Sequence, residues 1–290
     1  MSKDVTDSSR DMRAAEGVDA QLRLLAMNAR LRISQEYLEK KPVWIKRYDV
    51  ERRPLGKVLH SVFSPLLPVF LKSSHPAPGV LGAEREKRKI NLFAAAGLPV
   101  VQVLFGEGAV LIFSDAGEVA QKRLDALRSI SPAEHDKLLV RLAQGLGQAH
   151  HAGLCHGRPH PRDMFVQDSH VGFLDFEEEP EAVMPLAMAQ ARDLWLLFLQ
   201  ICTRAISPET PVQAFAAYRA IAPACVMAHL ARLVRFFHHA LLPLRLLPQK
   251  MLGKDGLYAV QATSFLKTAL DAIPASASSL HATGHERPRG

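Results

Sequence analysis

The sequence predicts an α+β chain with its strands gathered in the first part and helices filling the rest. Three observations carry this. Val43 to Tyr48 (VWIKRY) alternates apolar and polar residues as a half-buried strand does. Val100 to Leu104 and Ala109 to Phe113 read as two short strands forming a hairpin. From Pro132 to Gly153, Leu138, Leu139, Leu142, Leu146 and Ala149 recur at helical spacing.

Between these strands, Ala83 to Phe93 (AEREKRKINLF) is a charged helical run whose Ile90 and Phe93 share one face, and Gly97-Leu98-Pro99 ends it. Residues 1–20 are polar and charged, without the apolar core of a signal peptide, and 276–290 are rich in Ser, Ala, His and Arg, so both ends read as disordered tails. No internal repeat or heptad run is present.

With 290 residues, 48% hydrophobic and 22% charged, the chain can bury one large core or two lobes. Its net charge of +7 favours anionic partners such as nucleotide phosphates or acidic lipid headgroups, or serves solubility alone. A nucleic acid is not expected, because no aromatic platform on a strand, zinc signature or helix-turn-helix accompanies the charge. Cys155, Cys202 and Cys225 are too far apart to pair as metal ligands, which fits a reducing cytoplasm. Neighbouring histidines at 150–151 and 238–239 point to different helix faces, and Pro159 and Pro161 break any helix joining His156 to His160, so a zinc site is not expected.

Pro54 to Lys72 (PLGKVLHSVFSPLLPVFLK) is apolar, interrupted by Pro65 and Pro68, and flanked by Arg52, Arg53, Lys57 and Lys72. It falls short of a membrane span, which needs about 20 apolar residues without such breaks. Two readings stay open: packing on the fold, or lying on an anionic membrane surface, as a peripheral protein of the inner membrane would. In Leu230 to Lys254 leucines alternate with Arg232, Arg235, Arg245 and Lys250, as in a core helix with a basic border.

The richest stretch is Cys155 to Glu179, CHGRPHPRDMFVQDSHVGFLDFEEE. In protein kinases a His-x-Asp triplet is followed five residues after its Asp by an Asn, then by Asp-Phe-Gly. The same order is kept here with altered chemistry. His156 takes the His place, Arg158 that of the catalytic base, Asp163 that of the metal-binding Asn, and Asp175-Phe176-Glu177 that of Asp-Phe-Gly. Lys46 matches the phosphate-pairing strand lysine, Glu86 its helix partner with Glu84 as competitor, and Asp193-Leu194-Trp195 the anchoring aspartate. Over about Pro42 to Phe265 the chain resembles the protein-kinase-like fold, and by HGRP followed by Arg-Asp it is most similar to the bacterial lipopolysaccharide-kinase-like proteins.

This resemblance implies two lobes: a sheet lobe over 21–116 with the apolar insert at 54–80, and a helical lobe over 117–275. It implies ATP held by Lys46 and Glu86, Mg2+ held by Asp163 and Asp175, and phosphate transfer to a glycolipid sugar or other small acceptor. Arg158, unable to accept a proton, could neutralise charge, leaving Glu177, Asp163 or His160 as the base. No glycine lies between Gly17 and Gly56, so the glycine-rich phosphate cover is absent or rebuilt. A pseudokinase scaffold, or a transferase moving another group in the same cleft, stays open as the alternative.

Overall fold

The computed structural model describes residues 17–50, 70, 77–168, 170–245 and 253–273. It opens with a helix, α1, over residues 17–28, four residues of which belong to the stretch read as a tail. Val18, Leu22, Leu25 and Ala29 face one way and pack on Val43, Ile45 and Ile112 of the sheet.

That sheet has four antiparallel strands, β1 (Ile33–Leu38), β2 (Lys41–Arg47), β3 (Val103–Glu107) and β4 (Val110–Ser114), in the order β1-β2-β4-β3. Glu39 and Lys40 both adopt positive φ, giving the two-residue turn that suits the right-handed twist of β1 and β2. The period-two rule then sorts β2: Val43 and Ile45 face α1, whereas Lys46 and the following Tyr48 face the opposite side, toward α2 (Val80–Ala95). Helix α2 extends beyond the run read from sequence at both ends and lays Ala83, Glu86, Lys89, Ile90 and Phe93 inward. The hairpin read as 100–104 and 109–113 is shifted forward in its first strand, since Val100 instead bridges to Phe173.

The rest is mainly helical: α3 (Ala120–Ile130), α4 (Pro132–His151), α5 (Leu186–Arg204), α6 (Thr210–Arg219), α7 (Cys225–Ala240) and α8 (Lys254–Asp271), with a small hairpin of β5 (Met164–Gln167) and β6 (His170–Phe173). Helix α4 runs through the middle with Leu139, Leu142 and Leu146 fully buried. Asp136, lowered in pKa although burial opposes this, accepts from the backbone of Ile206 and Ser207 and from the Thr210 hydroxyl, fixing the start of α6. One apolar core continues from Tyr48 and Phe93 under the sheet through Phe173 and Phe176 to Phe198, Tyr218 and Leu266. In α7, Leu230, Leu233 and Val234 are core. The arrangement is a two-lobed α+β fold: a four-stranded antiparallel sheet with α1 and α2, followed by a mainly helical lobe.

The apolar insert at 54–72 lies outside the described residues apart from Phe70. That ring sits 4.9 Å from Phe236 and 5.8 Å from Phe237 of α7, and Phe237 stacks on Trp195 at 4.3 Å. Among the described residues, no helix is long and apolar enough to cross a membrane.

Gly145 lets α4 approach β6, since a Cβ there would lie 2.5 Å from the Cβ of Val171. Gly145→Ala should therefore destabilise the protein by about 1–3 kcal/mol, despite alanine's better helix propensity, and urea denaturation would measure it.

Candidate functional site

Lys46 is nearly enclosed at the junction of the two lobes, and its ammonium meets three carboxylates. Nζ lies 2.6 Å from Glu86 Oε2, 2.6 Å from Asp175 Oδ1 and 2.9 Å from Glu177 Oε1. Burial disfavours the charge, but Glu86, Asp175 and Glu177 together outweigh it and hold the Lys46 pKa well above its usual value. Glu86 is pushed upward by burial and pulled back by Lys46, and the Tyr48 hydroxyl donates to it at 2.5 Å. Glu84, the competing partner, is exposed on α2.

The loop after α4 is tied to α5 by a buried aspartate. Asp193 accepts from the backbone N–H of His156 at 2.6 Å and of Gly157 at 3.0 Å. Gly157 has φ 107, and a Cβ there would sit 2.7 Å from the Glu178 carbonyl, so this position requires glycine. Burial lowers the His156 pKa, and its neutral ring uses both nitrogens: Nε2–H donates to Leu174 O at 2.8 Å and Nδ1 accepts from Arg158 N–H at 3.3 Å. Leu174 N–H in turn donates to Asp163 O at 2.8 Å. These bonds fix the backbone on which Arg158, Asp163 and Asp175 stand.

Asp175 adopts φ 62, which a non-glycine residue takes up only against strain. Burial would raise its pKa, but Lys46 and then Arg158 reverse this and leave it well below the usual carboxylate range. Arg158 Nη2 approaches Asp175 Oδ2 at 3.4 Å, which makes Asp175 its ion-pair partner. Asp163 is buried, and burial together with the neighbouring Asp175 raises its pKa to about 7, against the opposing pull of Arg162 and Arg158. Both carboxylates thus act on the same guanidinium, that of Arg158.

His160 is a poorer candidate for proton transfer. Burial, Arg162, Arg204 and Arg158 lower it to about 4, and its Nδ1 accepts from Arg162 N–H at 3.1 Å to cap a short turn. Glu86, Asp175 and Glu177 bring ligand atoms close enough for a cation, but the positive charge among them is the Lys46 ammonium. Asp163 and Asp175 offer hard carboxylate oxygens of the kind a divalent ion would take.

Several residues at the site escape a motif reading. Arg32, just before β1, pairs with Glu177 on the oxygen that Lys46 contacts. From α2, Lys89 Nζ is buried and donates to His156 O at 3.2 Å and Glu178 O at 3.1 Å, and pairs with Glu181 at 2.9 Å. Arg85 and Arg88 reach Glu179. Tyr48 and Lys89 carried a signal in the sequence, since they lie two residues from Lys46 on a strand and three from Glu86 on a helix. Arg32 carried none, because nothing local tells where its side chain goes.

Two expectations follow. Lys89→Met should destabilise the fold by about 3–5 kcal/mol, read by denaturant unfolding, because it leaves two carbonyls without a donor and Glu181 with only the Cys155 thiol. For Asp163, a raised folded pKa means that its stabilising contribution is full below about pH 4 and is lost as pH rises to about 7. In EDTA, the Tm of Asp163→Asn relative to the parent should therefore climb between pH 4 and 7 and level off above; a constant difference would contradict the burial of this carboxylate.

No protein-family model matches the sequence, and no curated protein matches it. Among solved structures, a MAP kinase from Leishmania major aligns over 86% of this chain and 80% of its own at 14% identity, with a TM-score of 0.35.

Proposed function

We propose that the chain binds ATP with Mg2+ and transfers phosphate to a small acceptor, the sugar of a glycolipid being the class its loop wording favours. One observation carries the reading: Lys46 touches Glu86 and Asp175 at once, each at 2.6 Å. Phosphoryl transfer requires that lysine to be charged and positioned, with the aspartate across the cleft from the helix glutamate.

Asp163 and Asp175 would hold the Mg2+, which neutralises phosphate charge when bound. Lys46 orients the α and β phosphates, and Arg158 adds positive charge beside Asp175, where an acceptor and the transferred group would meet. Because the transition state is largely dissociative, positioning supplies most of the acceleration without a strong base. Nine residues, EEEPEAVMP, separate Phe176 from α5, and α2 grips several of them. That is a small platform for a peptide, which supports a compact acceptor.

The second reading is a pseudokinase that binds nucleotide or a partner as a scaffold, with contact to an anionic membrane through the 54–72 segment. The Arg158–Asp175 ion pair favours it, since a guanidinium holds the place of a base and occupies a metal-binding carboxylate.

Labelled ATP with magnesium, incubated with glycolipid and with free sugars, tests the two. Asp175→Ala should remove the magnesium dependence of ATP binding. Under transfer, Arg158→Ala should lower turnover by about 10²–10³ with ATP affinity nearly unchanged. ATP binding with no label transferred by the parent or by Arg158→Asp would leave the scaffold, and unaltered magnesium dependence in Asp175→Ala would remove the metal role.

A further inference from the structure

In protein kinases the phosphate-pairing lysine stands on the third strand, after a hairpin whose glycine-rich turn covers the phosphates. Here Lys46 stands on the second strand, and α1 replaces the strand that would come first. The β1–β2 turn cannot substitute, because Glu39 and Lys40 lie at the far end of β2 from Lys46. What passes beside Lys46 is the link from α1 to β1, residues 29–32. It is held by Arg47, whose N–H donates to Arg32 O at 2.8 Å and whose Nη1 donates to Ala29 O at 2.6 Å.

From this link Arg32 reaches into the cleft. Its Nη2 and the Lys46 Nζ converge on a single oxygen, Oε1 of Glu177. An anionic oxygen held between a guanidinium and an ammonium is the setting a phosphate oxygen seeks, and the guanidinium fork suits phosphate geometry. The Arg32 and Glu177 side chains are 39% and 21% exposed, so a ligand can reach the pair from solvent. Within this cluster of ion pairs three cations, Lys46, Arg32 and Arg158, already face three carboxylates, Glu86, Asp175 and Glu177. A polyphosphate entering this space must therefore take the place of one of the carboxylates. Glu177 is the one to yield, being tied to the protein by these two cations, whereas Glu86 is buried and also holds Tyr48.

We propose that Arg32 and Lys46 form a two-cation clamp for a nucleotide polyphosphate, replacing the missing glycine-rich cover, and that Glu177 is a resident anion that the polyphosphate displaces. This deepens the nucleotide-binding reading above and rests on it. Glu177 thereby sets the affinity threshold of the site: nucleotide binding includes breaking its two ion pairs.

Calorimetric titration of the full chain with ATP and with adenosine, each in EDTA and in Mg2+, tests this. Arg32→Ala should weaken ATP by about tenfold or more, the size of a lost charge-assisted contact, and leave adenosine unchanged, with Arg32→Lys in between. Glu177→Gln should tighten ATP at least about threefold in EDTA and leave adenosine unchanged. Equal ATP affinity in parent and Arg32→Ala overturns the clamp while nucleotide binding stands. Parallel loss of ATP and adenosine makes Arg32 structural and also overturns it. Unchanged or weaker ATP binding by Glu177→Gln overturns the displacement, and that variant keeps the idea testable should Arg32→Ala fail to fold. A parent that binds neither ligand removes the nucleotide reading itself, and the clamp with it.

Discussion

Lys46 carries a positive charge into a nearly closed interior, and the arrangement around it follows from keeping that charge there. An ammonium stripped of water is stable only with opposite charge in direct contact, and here Glu86, Asp175 and Glu177 supply it. They come from two places: Glu86 from α2, the other two from the segment after β6. The ion cluster therefore joins the sheet, its helix and the large lobe at one point. Tyr48 completes it by donating to Glu86, and its ring also lies in the common core.

A second layer of charge keeps α2 in place. Arg85, Arg88 and Lys89 meet the acidic run Glu177 to Glu181 through ion pairs and backbone contacts. Residues 177–185 contain no Ser, Thr or Tyr, and the negative charge is written in as glutamates. Glu177 is thus part of a standing latch as well as a neighbour of Lys46.

Much of this was legible in the sequence where local pattern and chemistry coincide. The alternation around Lys46, the inward face of Ile90 and Phe93, and the leucines of α4 each follow from one period. Helix α1 carries the same kind of signal in Val18, Leu22 and Leu25 but went unread, and the polar residues ahead of it drew the tail boundary past its first turn. The first strand of the hairpin was read early because Val100 to Leu104 is apolar for another reason: Val100 serves the edge of the β5–β6 hairpin. The Arg32 contact was not legible, since it joins residues 145 apart and depends on how the lobes meet.

The same distinction explains why the altered loop keeps its shape. Its backbone is held by Asp193, His156, Gly157 and the Leu174–Asp163 bond, none of which involves the side chain at 158. Residue 158 is thus free to change chemistry without loss of fold. What it cannot change freely is charge, because Asp163 is already held near a pKa of about 7 by burial and by Asp175, against Arg162 and Arg158. An aspartate at 158 would add a further negative charge to that space and remove a positive one, raising Asp163 still further unless a cation entered. Arginine at 158 meets part of that demand, through its ion pair with Asp175 and its pull on Asp163.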